Sequence, residues 1–496
     1  MRALALSLAS AAQLAAMAIA AEDFTSDATQ QARDIDVAAI DAYLETAMVV
    51  AHIPGLALGI VQNDRIVHLR GFGTADPTGR PVTPQTPFIL GSVSKSFTAL
   101  AVTQLIEAGR LELDTPVQRY LPWFRVADAS ASSQITVGHL LSHTSGLSQA
   151  ASSIGDGKER TLEQRIRDLE VAELTHAVGS SFAYSNVNYA TLGLLVQSVS
   201  GQSYGDYIQQ HVFDRLDMRH SFVSQARARE QGLATGYRIW FGFPVAANIS
   251  YGQDQLPGSA LISSAEDMTH YLIAQLNSGY FGDRSVASPE AVQAMHTPGQ
   301  GAFYGRGWRK TAVNGVPAIW HSGVVSNYQS FVAFSPEERW GVVVLMNVRS
   351  VLATTIRRQV AQGVVSLLAG REPPPQRGLS FTTRYVLVDL AFLLVMLILI
   401  WTSYSLWQDY KDPTRGPQDA KSIMQVRFFS FAGPVLIPLA TIVLVPLMTG
   451  VRLRAMLTNE PGLTHVFLIL SAVQIVYGVL RITLTFRKPG LEPASA

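Results

Sequence analysis

A serine and a lysine stand three residues apart in the stretch G-S-V-S-K-S-F-T-A, residues 91–99. Of the six lysines in the chain, only Lys95 has a serine at this offset, at Ser92. On a helix the two side chains share one face. The residues that follow are largely apolar, and desolvation of an amine lowers its pKa. A neutral amine can take the hydroxyl proton, so the pair predicts a serine nucleophile with a lysine base.

The Ser-x-x-Lys pattern is weak by itself, because a capping serine followed by a surface lysine produces it too. A second motif, Tyr184-Ser185-Asn186, is the only Tyr-x-Asn of the chain. A tyrosine at this point can shuttle protons, and an asparagine two residues later can hold a substrate amide. Read alone, the motif is equally compatible with a core tyrosine and a helix cap.

A third motif, His321-Ser322-Gly323, ends a predicted strand. The glycine would let a substrate backbone lie against the strand. The N–H group of Val324 could then join that of Ser92 in an oxyanion hole. An ordinary edge-strand histidine is the alternative interpretation of His321.

The order of these motifs resembles that of the serine β-lactamases and penicillin-binding proteins. It is most similar to the family of class C β-lactamases and D-alanyl-D-alanine peptidases, which also includes esterases. Residues 140–147, 257–268 and 304–308 resemble further boxes of that family, so the resemblance spans residues 36–370. It implies an acylated nucleophile at Ser92, bases at Lys95 and Tyr184, and substrate binding by the following residues: Asn186, His321, Ser322, Gly323 and Val324.

One departure from the family pattern concerns charge. Many members have Lys-Thr-Gly where this chain has His321-Ser322-Gly323. A lysine supplies a fixed positive charge for a substrate carboxylate, whereas a histidine supplies one only when protonated. The sequence therefore argues against an efficient β-lactamase or a strict carboxypeptidase and leaves neutral peptides, amides and esters open.

Two other patterns are rejected as functional sites. Residues 201–205 fit Gly-x-Ser-x-Gly, but that nucleophile elbow requires a preceding strand, whereas the residues before it predict a helix. Ser203 is therefore interpreted as a helix cap. His143 has no second metal ligand at a helical spacing and is interpreted as part of a structural turn. No metal or other cofactor is predicted.

Composition limits the partners and the compartment. The chain has 496 residues with a net charge of +1, which suggests neither a nucleic-acid nor another polyanionic partner. Residues 1–20 have the form of a signal peptide, with an uncleaved signal anchor as the alternative. There are no cysteines, so in an oxidising compartment a large core rather than disulfides must stabilise the exported part.

The C-terminal quarter of the chain is strongly apolar. Three runs there are each long enough for a membrane span of about 20 residues. The connector 408–427 carries four basic residues and the tail 485–496 carries two, which places both in the cytoplasm by the positive-inside rule. The sequence thus predicts an inner-membrane protein with its catalytic domain on the periplasmic side. The predicted segments are a catalytic domain at 21–370, a linker at 371–384, and spans at 385–407, 428–448 and 463–484.

The elements that must position the motifs predict an α/β (α+β) fold. Strands near both ends of the catalytic domain should form one antiparallel sheet, flanked by helices and with a helical lobe inserted in the middle. The predicted strands are 56–62, 65–72, 302–310, 317–322, 329–335 and 340–347. The main predicted helices are 36–52, 92–108 and 349–368, with another that begins near Tyr189.

The layout of a hydrolase domain followed by three spans is similar to that of membrane-bound prodrug-activating peptidases, the family that includes the colibactin-maturing peptidase. That resemblance implies removal of an N-acyl-D-asparagine cap from a secreted precursor, with a lipid-tailed substrate and an exporter as partners. Asn186 replaces a serine of that family, which leaves the substrate open. The alternatives are a cell-wall D-alanyl-D-alanine peptidase, a β-lactamase, a broad esterase and, in another class, a β-lactam-binding membrane sensor.

Overall fold

The computed structural model describes residues 35–154, 160–299, 302–350, 353–375 and 379–411, with six further residues between 468 and 477. The predicted signal peptide, the run 428–448 and the tail lie outside these residues. The chain divides into two compact units. The first comprises the described parts of Met1–Tyr237, Ala246–Arg349 and Thr354–Gln376, and the second those of Arg238–Val245, Ser350–Ala353 and Arg377–Ala496.

A six-stranded antiparallel sheet forms the centre of the first unit. In their order across the sheet, its strands are β2 (Arg65–Gly73), β1 (Gly55–Gln62), β12 (Trp340–Met346), β11 (Gln329–Ser335), β10 (Val316–Val324) and β9 (Arg309–Val313). Strands β1 and β2 come from the start of the domain and the other four from its end, as the sequence predicts.

Local sequence sets the two ends of this sheet. The turn between β1 and β2 places Asn63 at φ +59°, a left-handed conformation that asparagine tolerates and that suits a tight hairpin. The strand predicted over 302–310 is wrong, because β9 begins only at Arg309. Gly307 lies at φ +79°, which breaks the extended chain, and Trp308 is buried in the core.

Helices cover the sheet. Helix α1 (Val37–Val50) begins at its Asp36 cap and packs against α11 (Thr354–Leu368). Helix α9 (Ala265–Leu276) packs on β1 and β12. All seven residues of β12 are buried, so both faces of this strand are covered. A strand that is covered on both faces has a continuous apolar sequence, as β12 does.

The inserted lobe is mostly helical. Its longest members are α2 (Ser94–Glu107) and α6 (Asn186–Ser200), which pack together and against the turn Leu256–Ala260. Short elements complete the unit. They are α3 (Ala129–Gln134), α4 (Val137–Leu141), α5 (Leu162–Arg167), α7 (Tyr204–Ile208), α8 (Gln225–Glu230), α10 (Pro289–His296), β3 (Phe88–Ile89) paired with β6 (Ile262–Ser263), and β7 (Tyr280–Phe281) paired with β8 (Arg284–Ser285).

The second unit contains helix α12 (Phe381–Lys411), which includes the first predicted span and begins inside the predicted linker. Near its start, the Tyr385 hydroxyl is hydrogen-bonded to that of Ser350. Within the part of the chain that the structure describes, no helix combines the length and the hydropathy of a membrane crossing. Of the third predicted span, only six residues are described. Strands β4 (Tyr237–Trp240) and β5 (Phe243–Ala246) fall mostly in the second unit, whereas β13 (Val348–Arg349) belongs to the first.

Candidate active site

Ser92 lies in a 3₁₀ turn, Gly91–Val93, that leads directly into α2. The helix itself therefore starts at Ser94, two residues later than predicted. The turn leaves backbone N–H groups without helical partners near the Ser92 side chain, at the positive end of the helix dipole. Ser92 is half-buried, so its hydroxyl can be reached by a substrate.

Lys95 is completely buried, one turn after Ser92. Its Nζ lies 2.6 Å from Asn186 Oδ1, 2.7 Å from the carbonyl oxygen of Gly258 and 3.3 Å from Ser92 Oγ. The two closest partners are 91 and 163 residues away along the chain. The predicted pair of Ser92 and Lys95 is thus brought together, with two further contacts that the sequence did not indicate.

Three acceptors surround the amine of Lys95 and match the three N–H donors of an ammonium, and two of them are carbonyl oxygens that still hold the amine after it loses one proton. Burial lowers the pKa of Lys95 well below 10.5, and the charges of Arg165 and Arg309 lower it further. A neutral amine has two N–H donors and one lone pair. Two carbonyl oxygens, which can only accept, take the two donors. The lone pair is left for the Ser92 hydroxyl, so the geometry prepares Lys95 to accept the serine proton.

Tyr184 lies in the loop before α6, with its ring centroid 4.9 Å from Lys95 Nζ. Burial raises the pKa of its hydroxyl to about 12, while a hydrogen bond with Ser92 and the charge of Arg309 oppose that rise. The phenol is therefore protonated at neutral pH. It can return a proton to a leaving group after Lys95 has accepted one from Ser92, which is the shuttle that the sequence predicts.

Asn186 is the first residue of α6, three residues before the predicted helix start at Tyr189. The helix begins there because the Ser152 hydroxyl accepts hydrogen bonds from the N–H groups of Asn186 and Val187, at 3.0 and 3.3 Å. A side chain from a distant segment thus caps the helix. The Asn186 side chain contacts Lys95, so it orients the base and lies beside Ser92.

His321 lies on β10 and is only 2% exposed. Its Nδ1 donates to the carbonyl oxygen of Ser322 at 2.8 Å, and its Nε2 accepts from the Tyr304 hydroxyl at 3.1 Å. Burial lowers the pKa of the imidazole well below 6.5, as do the charges of Arg309 and Lys95. At neutral pH, His321 therefore supplies no positive charge, and its ring holds Tyr304 in place.

The end of β10 lies against the nucleophile turn because two glycines meet there. Gly91 has φ +58°, and a Cβ atom on it would lie 2.6 Å from the nitrogen of Val324. A Cβ atom on Gly323 would collide with the carbonyl oxygen of Leu90. The backbone of Val324 is thus held beside that of Ser92, where their N–H groups could bind an oxyanion together.

The family follows from a comparison with known proteins. The family model described as Beta-lactamase matches residues 40–364, about two thirds of the chain. The chain belongs to the Beta-lactamase family. The predicted relationship with the serine β-lactamases and penicillin-binding proteins is thereby confirmed, as is the α/β fold of the catalytic domain.

Individual relatives agree with this assignment. Protein flp of Staphylococcus aureus (strain MW2) is 31% identical over 333 residues, which are 66% of this chain and 64% of that protein. This chain thus spans less than two thirds of that relative. Penicillin-binding protein 4 of Amycolatopsis lactamdurans is 30% identical over 65% of this chain and 88% of its own. An octameric penicillin-binding protein homologue from Pyrococcus abyssi has a similar structure, with a TM-score of 0.59 and 29% identity over 68% of this chain and 78% of its own.

Arg309 is the site residue that the sequence analysis missed. It opens β9, and its guanidinium carbon lies 5.5 to 6.0 Å from four ring centroids. Among the described residues, no carboxylate lies within 4.0 Å of its nitrogens. This half-buried cation places a fixed positive charge beside Tyr184 and Tyr304. Its position directly after the Y-G-R-G-W box, 304–308, was the available signal. The four rings are those of Tyr184, Phe303, Tyr304 and Trp320.

His143 lies behind the site in a left-handed conformation, with φ +59°. Its Nδ1 accepts from the Ser185 backbone at 3.2 Å and from the Asn188 amide at 3.1 Å. Its ring centroid is 4.5 Å from that of Tyr184. The residue thus packs against Tyr184, in agreement with a structural turn.

Two other groups stay outside the site. Ser203, in the Gly-x-Ser-x-Gly match, caps α7 by accepting a hydrogen bond from the Asp206 backbone at 3.1 Å.

His220, Glu266 and Asp267 form the one cluster of the described residues that could hold a metal ion. His220 Nδ1 lies 3.4 Å from Glu266 Oε2 and 3.6 Å from Asp267 Oδ1. Asp267 already accepts hydrogen bonds from the His220 backbone and Ser221, which is the pattern of a structural clamp.

Proposed function

We propose that this protein is a membrane-anchored serine peptidase or amidase that acts through an acyl-enzyme on Ser92. The observation that carries the proposal is the buried amine of Lys95, whose Nζ contacts two carbonyl oxygens and lies 3.3 Å from Ser92 Oγ. In the neutral amine the two carbonyl oxygens take both N–H groups, so the lone pair faces Ser92. Lys95 takes the proton of Ser92 as its oxygen attacks a carbonyl carbon. The N–H groups of Ser92 and Val324 bind the resulting oxyanion. Tyr184 protonates the leaving group and regains a proton from Lys95, so the serine proton ends on the leaving group. Water then releases the acyl group by the reverse proton path.

The proposed substrate is an N-acyl-D-asparaginyl amide, presented at the outer face of the inner membrane. Membrane attachment rests on the three apolar runs and the basic connector, and the substrate rests on the layout of these segments together with the His-Ser-Gly variant. In this proposal the apolar runs hold the catalytic domain at the periplasmic face. They accept a lipid-tailed precursor or bring the site beside an exporter.

Incubation of the purified full chain with N-myristoyl-D-asparaginyl amide and its L-isomer tests this substrate. We expect release of N-myristoyl-D-asparagine from the D form only, detected by mass spectrometry. Repeated turnover would also argue against the β-lactam-binding sensor, which would be acylated once and stay acylated. Absence of cleavage of both isomers would contradict the substrate while leaving the serine mechanism in place.

Arg309 favours a second candidate, a peptidase for D-alanyl-D-alanine peptides. The terminal carboxylate of such a peptide would find a fixed cation beside Ser92, and a hydrogen bond to a charged group contributes about 1.5–3 kcal/mol. We therefore expect Arg309→Gln to raise KM for a D-alanyl-D-alanine peptide by about tenfold to a hundredfold.

A neutral substrate provides the control for this variant. Steady-state kinetics on p-nitrophenyl butyrate should change much less in Arg309→Gln, because that ester has no carboxylate. Equal losses on both substrates would contradict a carboxylate-binding role for Arg309. They would indicate that its packing against Tyr184 and Tyr304 matters instead.

A further inference from the structure

A buried ion cluster lies behind Lys95 in the helical lobe. Asp254 Oδ2 accepts hydrogen bonds from Arg165 Nη1 at 2.8 Å and from Arg160 Nε at 3.2 Å. These three side chains are only 5%, 8% and 5% exposed, respectively. Asp168, 39% exposed, also pairs with Arg160, at 2.9 Å. Two arginines thus balance two carboxylates. Burying such charges is costly, and the cluster by itself is weak evidence for stability.

The first connection to the site runs through Arg165. Its Nη2 donates to the carbonyl oxygen of Ser152 at 3.3 Å. The hydroxyl of Ser152 caps α6 by accepting from the N–H groups of Asn186 and Val187. Arg165 therefore fixes the residue that sets the start of α6, and with it the Asn186 amide oxygen that contacts Lys95.

The second connection runs along the backbone of Asp254 itself. Asp254 lies in the turn Gln253–Gln255, which continues directly into the turn Leu256–Ala260. The carbonyl oxygen of Gly258 in that second turn accepts from Lys95 Nζ at 2.7 Å. The hydroxyl of Thr98 on α2 donates to the neighbouring carbonyl of Pro257, also at 2.7 Å. Fixing the position of Asp254 therefore also fixes the Gly258 carbonyl oxygen, which is the second acceptor of the Lys95 amine.

We propose that Asp254 is a positioning residue for Lys95. Through Arg165 and through its own turn, it holds the two carbonyl oxygens that direct the lone pair of the amine toward Ser92. The inference rests on the proposed function, since it assigns the part of the fold that orients the proposed base. It concerns a carboxylate that touches neither the substrate nor the reacting atoms.

The charge of Asp254 also has a consequence for pH dependence. Arg165 and Arg309 both lower the pKa of Lys95. Loss of the Asp254 charge removes a negative charge beside Arg165, so the net positive field at Lys95 increases and should lower that pKa further. Four other titratable groups lie around Lys95, and a substitution at Asp254 leaves them unaltered. They are Tyr184, Tyr189, His143 and His321.

The test measures Ser92-dependent hydrolysis of p-nitrophenyl butyrate by the full chain between pH 5 and 10, with the Ser92→Ala rate subtracted. In Asp254→Asn we expect the pH-independent plateau of kcat/KM to fall by about tenfold to a hundredfold, as for a misplaced catalytic group. The acid limb, where kcat/KM rises with pH as Lys95 loses its proton, should shift to lower pH. Asp254→Glu, which keeps the charge, should return the limb toward its wild-type position.

Two variants separate positioning from general damage. Asp168→Asn breaks the outer ion pair with Arg160 but leaves Arg165 and Asp254 joined, so both plateau and limb should stay unchanged. Ser152→Ala removes the α6 cap without changing any charge, so the plateau should fall and the limb should stay in place. A folded Asp254→Asn with the wild-type plateau and limb would overturn the inference. Should that variant fail to fold, an unchanged plateau in Ser152→Ala would overturn it.

The outcome for the wild-type chain distinguishes a failure of the proposed function from a failure of the positioning role of Asp254. No Ser92-dependent hydrolysis in the wild type would overturn the proposed function, and this inference with it. Hydrolysis that depends on Ser92 but not on Asp254 would overturn the positioning role alone. Circular dichroism and thermal melting of each variant establish which of them are folded.

Discussion

Replacing Ser92 with alanine is expected to reduce hydrolysis to the uncatalysed background, a loss of about 10⁴-fold or more in kcat. The substitution removes the oxygen that forms the acyl-enzyme, and no other group can take its place at 3.3 Å from Lys95 Nζ. Ser92 is half-buried and only one atom is lost, so expression and folding should be unaffected. Turnover of p-nitrophenyl butyrate measures the loss of hydrolysis. The mass of the trapped acyl-enzyme measures the loss of acylation.

The matched control for this variant is Ser203→Ala. Ser203 belongs to the rival Gly-x-Ser-x-Gly pattern, yet in the structure it caps α7. Its replacement should leave turnover unchanged and lower the free energy of unfolding by about 1 kcal/mol, the typical loss of a helix cap. Full activity in Ser92→Ala together with loss of activity in Ser203→Ala would reverse the assignment of the nucleophile.

Replacing Lys95 with methionine is expected to cost nearly as much activity as the loss of Ser92, because residues that act as a unit are strongly non-additive. Methionine is similar in length and apolar, so it fills the site while removing the base. In the wild type, kcat/KM should rise with pH as Lys95 loses its proton and then reach a plateau. That acid limb should be absent from the residual activity of Lys95→Met.

The same variant changes how stability depends on pH. The pKa of Lys95 is lowered on folding, so between that pKa and 10.5 the unfolded chain binds more protons than the folded chain. In this window the wild type becomes more stable as pH rises and less stable as pH falls. One unit of pKa shift corresponds to about 1.36 kcal/mol.

Thermal melting of both proteins between pH 7 and 10 measures this contribution. The melting temperature of Lys95→Met relative to the wild type should increase as the pH is lowered from 10 to 7. Groups that titrate in both proteins cancel in this difference, so it reports on Lys95. A difference independent of pH would contradict a lysine held neutral by burial.

The local features of this protein follow from its residue types and their spacing. Ser92 and Lys95 share one helix face because helical geometry places residues three apart together, whatever the rest of the fold does. The turn at Asn63 and the apolar run of β12 likewise follow from residue type and pattern, so the sheet built from both chain ends was predictable. The strand predicted before Arg309 was wrong, because the left-handed conformation of Gly307 breaks the extended backbone that the alternating pattern predicts.

The chemical roles of these residues depend on contacts that form only in the folded chain. The two acceptors of the Lys95 amine come from segments 91 and 163 residues away. A local pattern carries no information about such distant partners. The neutrality of His321 comes from its burial behind Tyr304, and the fixed charge of the site comes from Arg309 on a neighbouring strand. Protonation states depend on desolvation and nearby charge, and both exist only once the chain has folded.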